Sequence, residues 1–283
     1  KLYPVIDGLL EEWRAVGDRG MPYTKVIGHR YSDRSWEVRQ FLARNEYSFR
    51  AVNAEEAKGQ QLLQAAGLDD SRLPVVITEE GEPLVDPTNA DLAARLGLST
   101  EPREDFYDLA VIGGGPGGLA AAVYGASEGL KTVLIEAVAT GGQAGQSSRI
   151  ENYLGFPDGV RGDQLADRAR RQAEKFEADL ITAREAVAIE CHGKTRTIRF
   201  ADGGSIDCRS IILATGVSYR ELDADGCNGR NGEASNLTGR GVYYGAAAYV
   251  ASECKDQQVY VVGGANSAGQ AAMNLSRKAA QVT

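Results

Sequence analysis

Cysteine is scarce in this sequence. Four occur among 283 residues, Cys191, Cys208, Cys227 and Cys254, and no two of them stand in a C-x-x-C or a zinc-like spacing. The sequence therefore holds no local dithiol and no zinc-type cysteine motif, and burial is the expected fate of each thiol. Long apolar runs are also missing. No stretch approaches the roughly 20 apolar residues that a membrane-spanning helix needs, and the amino-terminal residues lack the basic-then-apolar pattern of a signal peptide. A cytoplasmic location is the default expectation. Positive charge is in deficit too: 31 Lys and Arg against 39 Asp and Glu give a formal charge of −8. The average surface field disfavours nucleic acid and anionic membrane as primary partners, although a local basic groove stays open.

What is present points to ordinary globular structure. The 43% apolar content is enough for buried cores, and the length suggests two or three domains. The most informative stretch is 109–136, LAVIGGGPGGLAAAVYGASEGLKTVLIE. An apolar strand pattern over 109–112 meets Gly113-Gly114-Gly115-Pro116-Gly117-Gly118. An alanine-rich helical pattern follows, and a second apolar run ends in the acidic Glu136. That order is a dinucleotide-binding βαβ unit. Gly113 allows the tight turn, Gly115 lets backbone approach a pyrophosphate, and Gly118 lets the helix pack on the sheet. The helix N-terminus offers N–H groups and a positive dipole end to phosphates. Glu136, at the end of the second strand, can accept hydrogen bonds from a ribose.

Upstream, Leu2, Val5, Ile6, Leu9, Leu10, Trp13 and Val16 recur at helical spacing. The segment 1–20 is either a linker helix or the remnant of an upstream domain, and the first residue is Lys1 rather than methionine. From Thr24 a βαβ pattern begins. Strands are expected at 25–27 and 48–52, a helix at 35–45, a further helix near 59–66, a strand within 72–78 and a last helix over 89–96. Together these resemble the glutaredoxin and thioredoxin fold, in a domain over 21–98, with Pro74 where that family keeps a cis proline. The departure is at the active-site pair, where Ser32-Asp33-Arg34-Ser35 stands in place of C-x-x-C. A serine hydroxyl forms no disulfide and has far too high a pKa to act as a thiolate, so dithiol chemistry is excluded here. Ser32 or Ser35 is expected to N-cap the helix. The polar, proline-broken segment 99–105 reads as an interdomain linker.

Beyond Glu136 come Thr140-Gly141-Gly142-Gln143, then Ile150-Glu151-Asn152-Tyr153-Leu154-Gly155-Phe156-Pro157, and a strand over 210–215 that closes on Ala214-Thr215-Gly216. In this order the chain over 106–283 resembles the low-molecular-weight thioredoxin reductase family of flavoproteins. The resemblance implies an FAD site in a domain over 106–220. Gly113, Gly115, Pro116, Gly117, Gly118 and Glu136 would hold the ADP half, and Gly141, Gly142 and Gln143 would lie along the pyrophosphate and ribityl chain. Asn152 would approach the flavin, and Thr215 and Gly216 would mark a turn near the cofactor. For Gln143 and Asn152, ordinary loop polarity is the competing reading.

A second strand, glycine turn and helix start at 258–268, with Gly263, Gly264, Asn266, Ser267 and Ala268 as the candidate residues for NADPH or NADH. The resemblance makes this the opening of a second Rossmann-type domain over 221–283. Between the two units, Gly241-Val242-Tyr243-Tyr244 is followed by Gly245-Ala246-Ala247-Ala248, where the family carries its reducible C-x-x-C. Cys254 is the nearest thiol and is expected to serve packing. The loop over 224–240 is a lid, a contact surface or slack. Because the second unit stops early, the chain reads as part of a longer protein lacking on the order of a hundred C-terminal residues.

The expected fold class is α/β: a thioredoxin-like domain, an FAD-binding Rossmann-type domain, and the start of an NAD(P)H-binding one. The expected function is an FAD-dependent oxidoreductase passing electrons from NADPH or NADH to a small-molecule or redox-protein acceptor without an internal dithiol. No side chain is assigned as catalytic and no metal is expected, and the full-length protein is expected to be a homodimer. Two alternatives are a flavin-binding regulatory or docking module with little turnover, and a disulfide reductase using cysteines from outside this segment. The choice between NADPH and NADH is left open by the sequence.

Overall fold

The structure, a computed structural model, describes residues 24–29, 32–78, 82–147, 149–217, 222, 237, 241–244, 251 and 254–283. The expected helix over 2–16, the segment 245–248, Cys227 and nearly all of the loop 224–240 lie outside these residues.

The first unit runs β1 (Thr24–Gly28), α1 (Asp33–Arg44), β2 (Phe49–Asn53), α2 (Ala57–Ala65), β3 (Val75–Ile77), β4 (Pro83–Val85) and α3 (Asn89–Arg95). Its sheet has the order β2-β1-β3-β4, with β1 parallel to β2 and antiparallel to β3. Alternation along β1 sends Val26 to one face, against Val38, Phe41, Leu42, Leu92 and Ala93, and Ile27 to the other, against Val52, Leu63 and Val75. The start of α1 is capped by Ser32, whose Oγ accepts from Ser35 N–H at 3.3 Å. A reciprocal Thr88 and Asp91 capping box starts α3. The Leu73–Pro74 peptide is cis, as the family resemblance implied. The strand β4 has no counterpart among the expected elements. It is a three-residue edge strand that begins with proline and so carries little strand signal.

The second unit contains β5 (Phe106–Ile112), α4 (Pro116–Ser127), β6 (Thr132–Glu136), α5 (Gly162–Lys175), β7 (Asp179–Thr182), β8 (Ala186–His192), β9 (Thr195–Phe200) and β10 (Ser205–Leu213). Six strands form one mixed sheet in the order β7-β6-β5-β10-β9-β8, parallel through β7, β6, β5 and β10. Leu109, Ala110, Val111 and Ile112 are all buried, as a central parallel strand requires. Leu109 and Val111 pack with Leu119, Ala122 and Ala173 from α4 and α5. Ala110 and Ile112 join Tyr107, Val133, Ile135, Ile198 and Cys208 on the opposite face. Burial there pushes the Cys208 thiol up to about 11, so it stays protonated and inert. The chain passes from β5 outward through β6 to β7, then returns with β10 on the other side of β5. The carboxyl ends of β5 and β10 therefore flank a topological switch point. The expected strand over 210–215 is β10, which starts earlier and stops at Leu213. Ala214 N–H makes the last ladder bond, to Ile112 O at 2.8 Å, before Gly216 turns at φ +73°.

Residues 99–105 contain no regular element, yet they are tied down. Thr182 N–H donates to Ser99 O at 2.8 Å, and Arg103 N–H to Asp179 Oδ2 at 2.8 Å. Tyr107 Oη donates to the same Asp179 oxygen at 2.5 Å. Arg184 reaches Thr100 O, Glu101 and Asp202 while lying 4.3 Å over the Phe200 ring.

In the last described stretch β11 (Gln258–Val259) pairs in parallel with β12 (Gln281–Val282), and α6 (Asn266–Leu275) connects them. Cys254 is buried with Ala251 and Leu275, the packing role expected of it, whereas Cys191 is exposed on the edge strand β8, so the expectation of burial fails for that thiol.

Candidate functional site

The strand β5 ends in the glycine turn, and each glycine meets different surroundings. Gly113 takes φ +106° and donates its N–H to Ile135 O at 2.8 Å. A Cβ there would strike the Ala214 carbonyl, and a Cβ at Gly118 would strike the Gly113 carbonyl. These two glycines are therefore required by the packing of α4 and β10 against the turn. Gly115 and Gly117 are different. Gly115 has φ −70°, and a Cβ there would meet only Gly142 Cα at 3.9 Å, an ordinary contact. A Cβ at Gly117 would meet nothing within 4 Å. The fold has no use for either missing side chain, whereas a ligand lying against the backbone does.

Gly115 is the N-cap of α4 and Pro116 its first residue, and no side chain caps this helix. Proline carries no N–H, so the N–H groups of Gly117 and Gly118 stand at the helix mouth without an intrahelical acceptor. That gives a small positive concavity suited to a phosphate group.

Three other segments close on this turn. Glu136 at the end of β6 accepts from Gly114 N–H at 2.7 Å through Oε2, and from Val138 N–H at 3.0 Å through Oε1. Each oxygen keeps a lone pair for a hydroxyl donor. The segment carrying Gly141 and Gly142 folds back, with Gly141 N–H donating to Gly114 O at 2.7 Å. Gly142, at φ +54°, lies so close that a Cβ would come within 2.9 Å of Gly115 Cα. The turn after β10 supplies Ala214 and Thr215 beside Gly113. The glycine turn, the end of β6, the Gly141–Gly142 segment and the turn after β10 thus meet at one edge of the sheet.

The remaining candidates sit at the periphery. Gln143 is exposed and opens the short 3-10 turn Ala144–Gln146. Asn152 is exposed, while its neighbour Tyr153 shares a shallow cleft with Pro116, Gly141 and Gly162. Thr215 and Gly216 are exposed, and Leu213 and Val217 flank them, 66% and 75% exposed. Gly263, at φ +141°, Gly264, Asn266 and Ser267 form an exposed second turn and helix start on β11. Ala268 backs Gly263, and no side chain caps α6. Among the described residues no cluster of histidine, cysteine or carboxylate side chains could hold a metal ion, and no helix is long and apolar enough to cross a membrane.

Sequence reasoning missed the residues that hold the acid in place. The N–H donors of Gly114 and Val138 carry no side-chain signature. Gly162, where a Cβ would strike the Ala144 carbonyl, follows no motif; its position opening α5 was the only available sign.

Residues 107–283 match the family model described as pyridine nucleotide-disulphide oxidoreductase. The thioredoxin reductase of Peptoclostridium acidaminophilum is 38% identical over 180 residues, covering 64% of this chain and 54% of that protein. The bifunctional thioredoxin reductase/thioredoxin of Mycobacterium leprae is 34% identical over 188 residues, 66% of this chain and 39% of that one. Among solved structures, thioredoxin reductase from Lactococcus lactis aligns with a TM-score of 0.53 at 31% identity, covering 62% of this chain and 55% of that one. The thioredoxin reductase from T. acidophilum aligns at 0.55 and 26% identity, covering 63% and 55%. The chain thus spans about half the length of the thioredoxin reductases it matches, 54% for the first of them.

Proposed function

Because the chain belongs to the pyridine nucleotide-disulphide oxidoreductase family, we propose that it is an FAD-dependent oxidoreductase similar to thioredoxin reductase. It carries electrons from NADPH or NADH to an acceptor without a redox dithiol of its own. The observation that carries this reading is the pair Gly115 and Gly117, glycines that the fold itself does not require and that close approach of a pyrophosphate does.

The residues fit FAD. The Gly117 and Gly118 N–H groups would bind its pyrophosphate, and the remaining lone pairs of Glu136 would accept from the adenosine ribose. Gly141, Gly142 and Gln143 would follow the chain toward the ring, Asn152 would approach the ring itself, and Thr215 and Gly216 would border it. Bound there, FAD supplies hydride acceptance and onward electron donation. The protein's own part is to bind, orient and exclude water, with no side chain needed as a nucleophile. Gly263, Gly264, Asn266, Ser267 and Ala268 would hold the pyrophosphate of NADPH or NADH. The absence of any C-x-x-C from the sequence supports direct delivery to a small molecule or a redox protein. The sheet order β2-β1-β3-β4 supports a thioredoxin-like first domain in which Ser32 caps a helix instead of forming a disulfide. The full-length protein is read as a homodimer.

Anaerobic titration with NADPH and NADH tests this. Expected are loss of the flavin absorbance with one of them and no new pair of titratable thiols in the reduced protein. A flavin-loaded full-length protein that neither nucleotide bleaches would sink the reading, and two new thiols on reduction would sink its dithiol-free form.

A further inference from the structure

The loop that follows the ribose-binding acid belongs to two units at once. Val138 is gripped at three points. Its N–H donates to Glu136 Oε1 at 3.0 Å, its carbonyl accepts from Asn45 Nδ2 at 3.2 Å, and its side chain packs onto the cluster of Val38, Phe41 and Leu42. Ala139 is fully buried, and its carbonyl accepts from Arg44 Nη2 at 3.4 Å. Asn45 is itself fixed, because its Nδ2 also donates to Phe41 O at 2.8 Å at the end of α1. On the other side of the acid, Arg184 N–H donates to the Glu136 carbonyl at 3.2 Å, and the preceding Ala183 packs into the same first-unit cluster.

From this geometry we propose that the first unit is a positioning element of the dinucleotide site. Asn45, with Arg44, holds the backbone of 138–139, and the loop so held aims the Glu136 carboxylate at the adenosine ribose. The proposal rests on the reading of Glu136 as the ribose acceptor. A surface loop between a strand and a glycine turn is ordinarily free to move. Here its one inward N–H donor is anchored from behind by a different domain. Asn45 touches no ligand; it acts through Val138.

The test is a double-mutant cycle in the full chain, read as the dissociation constants of FAD and of ADP, which carries only the adenosine half. Loss of one such hydrogen bond is expected to weaken binding about three- to tenfold, so Asn45→Ala should raise both constants by that factor. In a Glu136→Ala background the same substitution should change them less than about twofold. An equal factor in both backgrounds means a diffuse structural defect and overturns the proposal, as does an unchanged constant in the single variant. If Asn45→Ala does not fold, Arg44→Ala leaves the Asn45 cap in place and is read in the same cycle, with about a two- to threefold effect expected. A wild-type chain that binds neither FAD nor ADP overturns the site reading and this proposal with it. Wild-type binding with no loss in the variants overturns this proposal alone.

Discussion

At the scale of the residue, the glycine turn separates into two kinds of position. Gly113 and Gly118 are glycine because neighbouring carbonyls leave no room, while a Cβ at Gly115 would make only an ordinary contact and one at Gly117 would meet open space. Gly117→Ala is therefore expected to leave stability unchanged or raise it by about 0.5–1 kcal/mol, the usual helical gain of alanine over glycine, while FAD binding weakens about tenfold or more. Urea unfolding beside flavin titration reads both quantities, and parallel loss of stability and binding would refute the distinction. Gly118→Ala should lower both. The spacing of the glycines and of Glu136 was legible because phosphate and ribose chemistry demand those residue types in that order. Asn45 and Val138 were not legible, since their roles run through one backbone N–H and one carbonyl that any residue but proline at 138 could offer.

At the scale of the element, period and capping made most of the first unit readable, down to a serine cap on α1, where the structure decides for Ser32 over Ser35. The edge strand β8 was not. It lies at the sheet edge with residues exposed on both faces, so the alternation that marks a half-buried strand is blurred. The approach of the end of α1 to α5 carries a charge conflict that sequence could not reveal. Burial, then Asp167 and Asp163 on α5, push the Glu46 carboxyl above its ordinary value. Asp167 itself is held below its ordinary value by Arg171 and Arg170, and so stays charged against Glu46. A carboxyl with a raised folded pKa has its neutral form favoured by folding, so its contribution is full below the unfolded value and is lost as pH rises through the folded one. Glu46→Gln should accordingly stabilise the protein at pH 7 by about 0.5 kcal/mol, a modest gain because the group is partly solvated. At pH 4 the gain should vanish. Thermal unfolding at the two pH values decides it, and an equal gain at both would exclude the charge explanation.

At the scale of the whole molecule, the succession of a smaller and a larger α/β unit could be read from composition and motif, but their mutual packing could not. The segment 99–105 looks like a linker by sequence, with its charges and its proline. In the folded chain, however, Thr182, Arg184, Tyr107 and Asp179 anchor it along its length. Val138 and Ala183 from the second unit complete the apolar cluster of the first. The two units are consequently expected to unfold in one transition. Coincident urea curves from far-ultraviolet circular dichroism and from Trp36 fluorescence in a Trp13→Phe background would match this, and a separate early melting of the first unit would contradict it.

The shared apolar cluster also bears on what can be removed from this protein. Ser32 and Ser35 leave the first unit without thiol chemistry, so by reactivity alone it looks dispensable. Cutting the chain before Phe106 would nonetheless expose the Val138 and Ala183 side chains to water and strip the Val138 carbonyl of its side-chain donor. The truncated remainder would have a sticky flank beside its glycine turn and would tend to self-associate. A unit with no thiol of its own thus still forms part of its neighbour's wall.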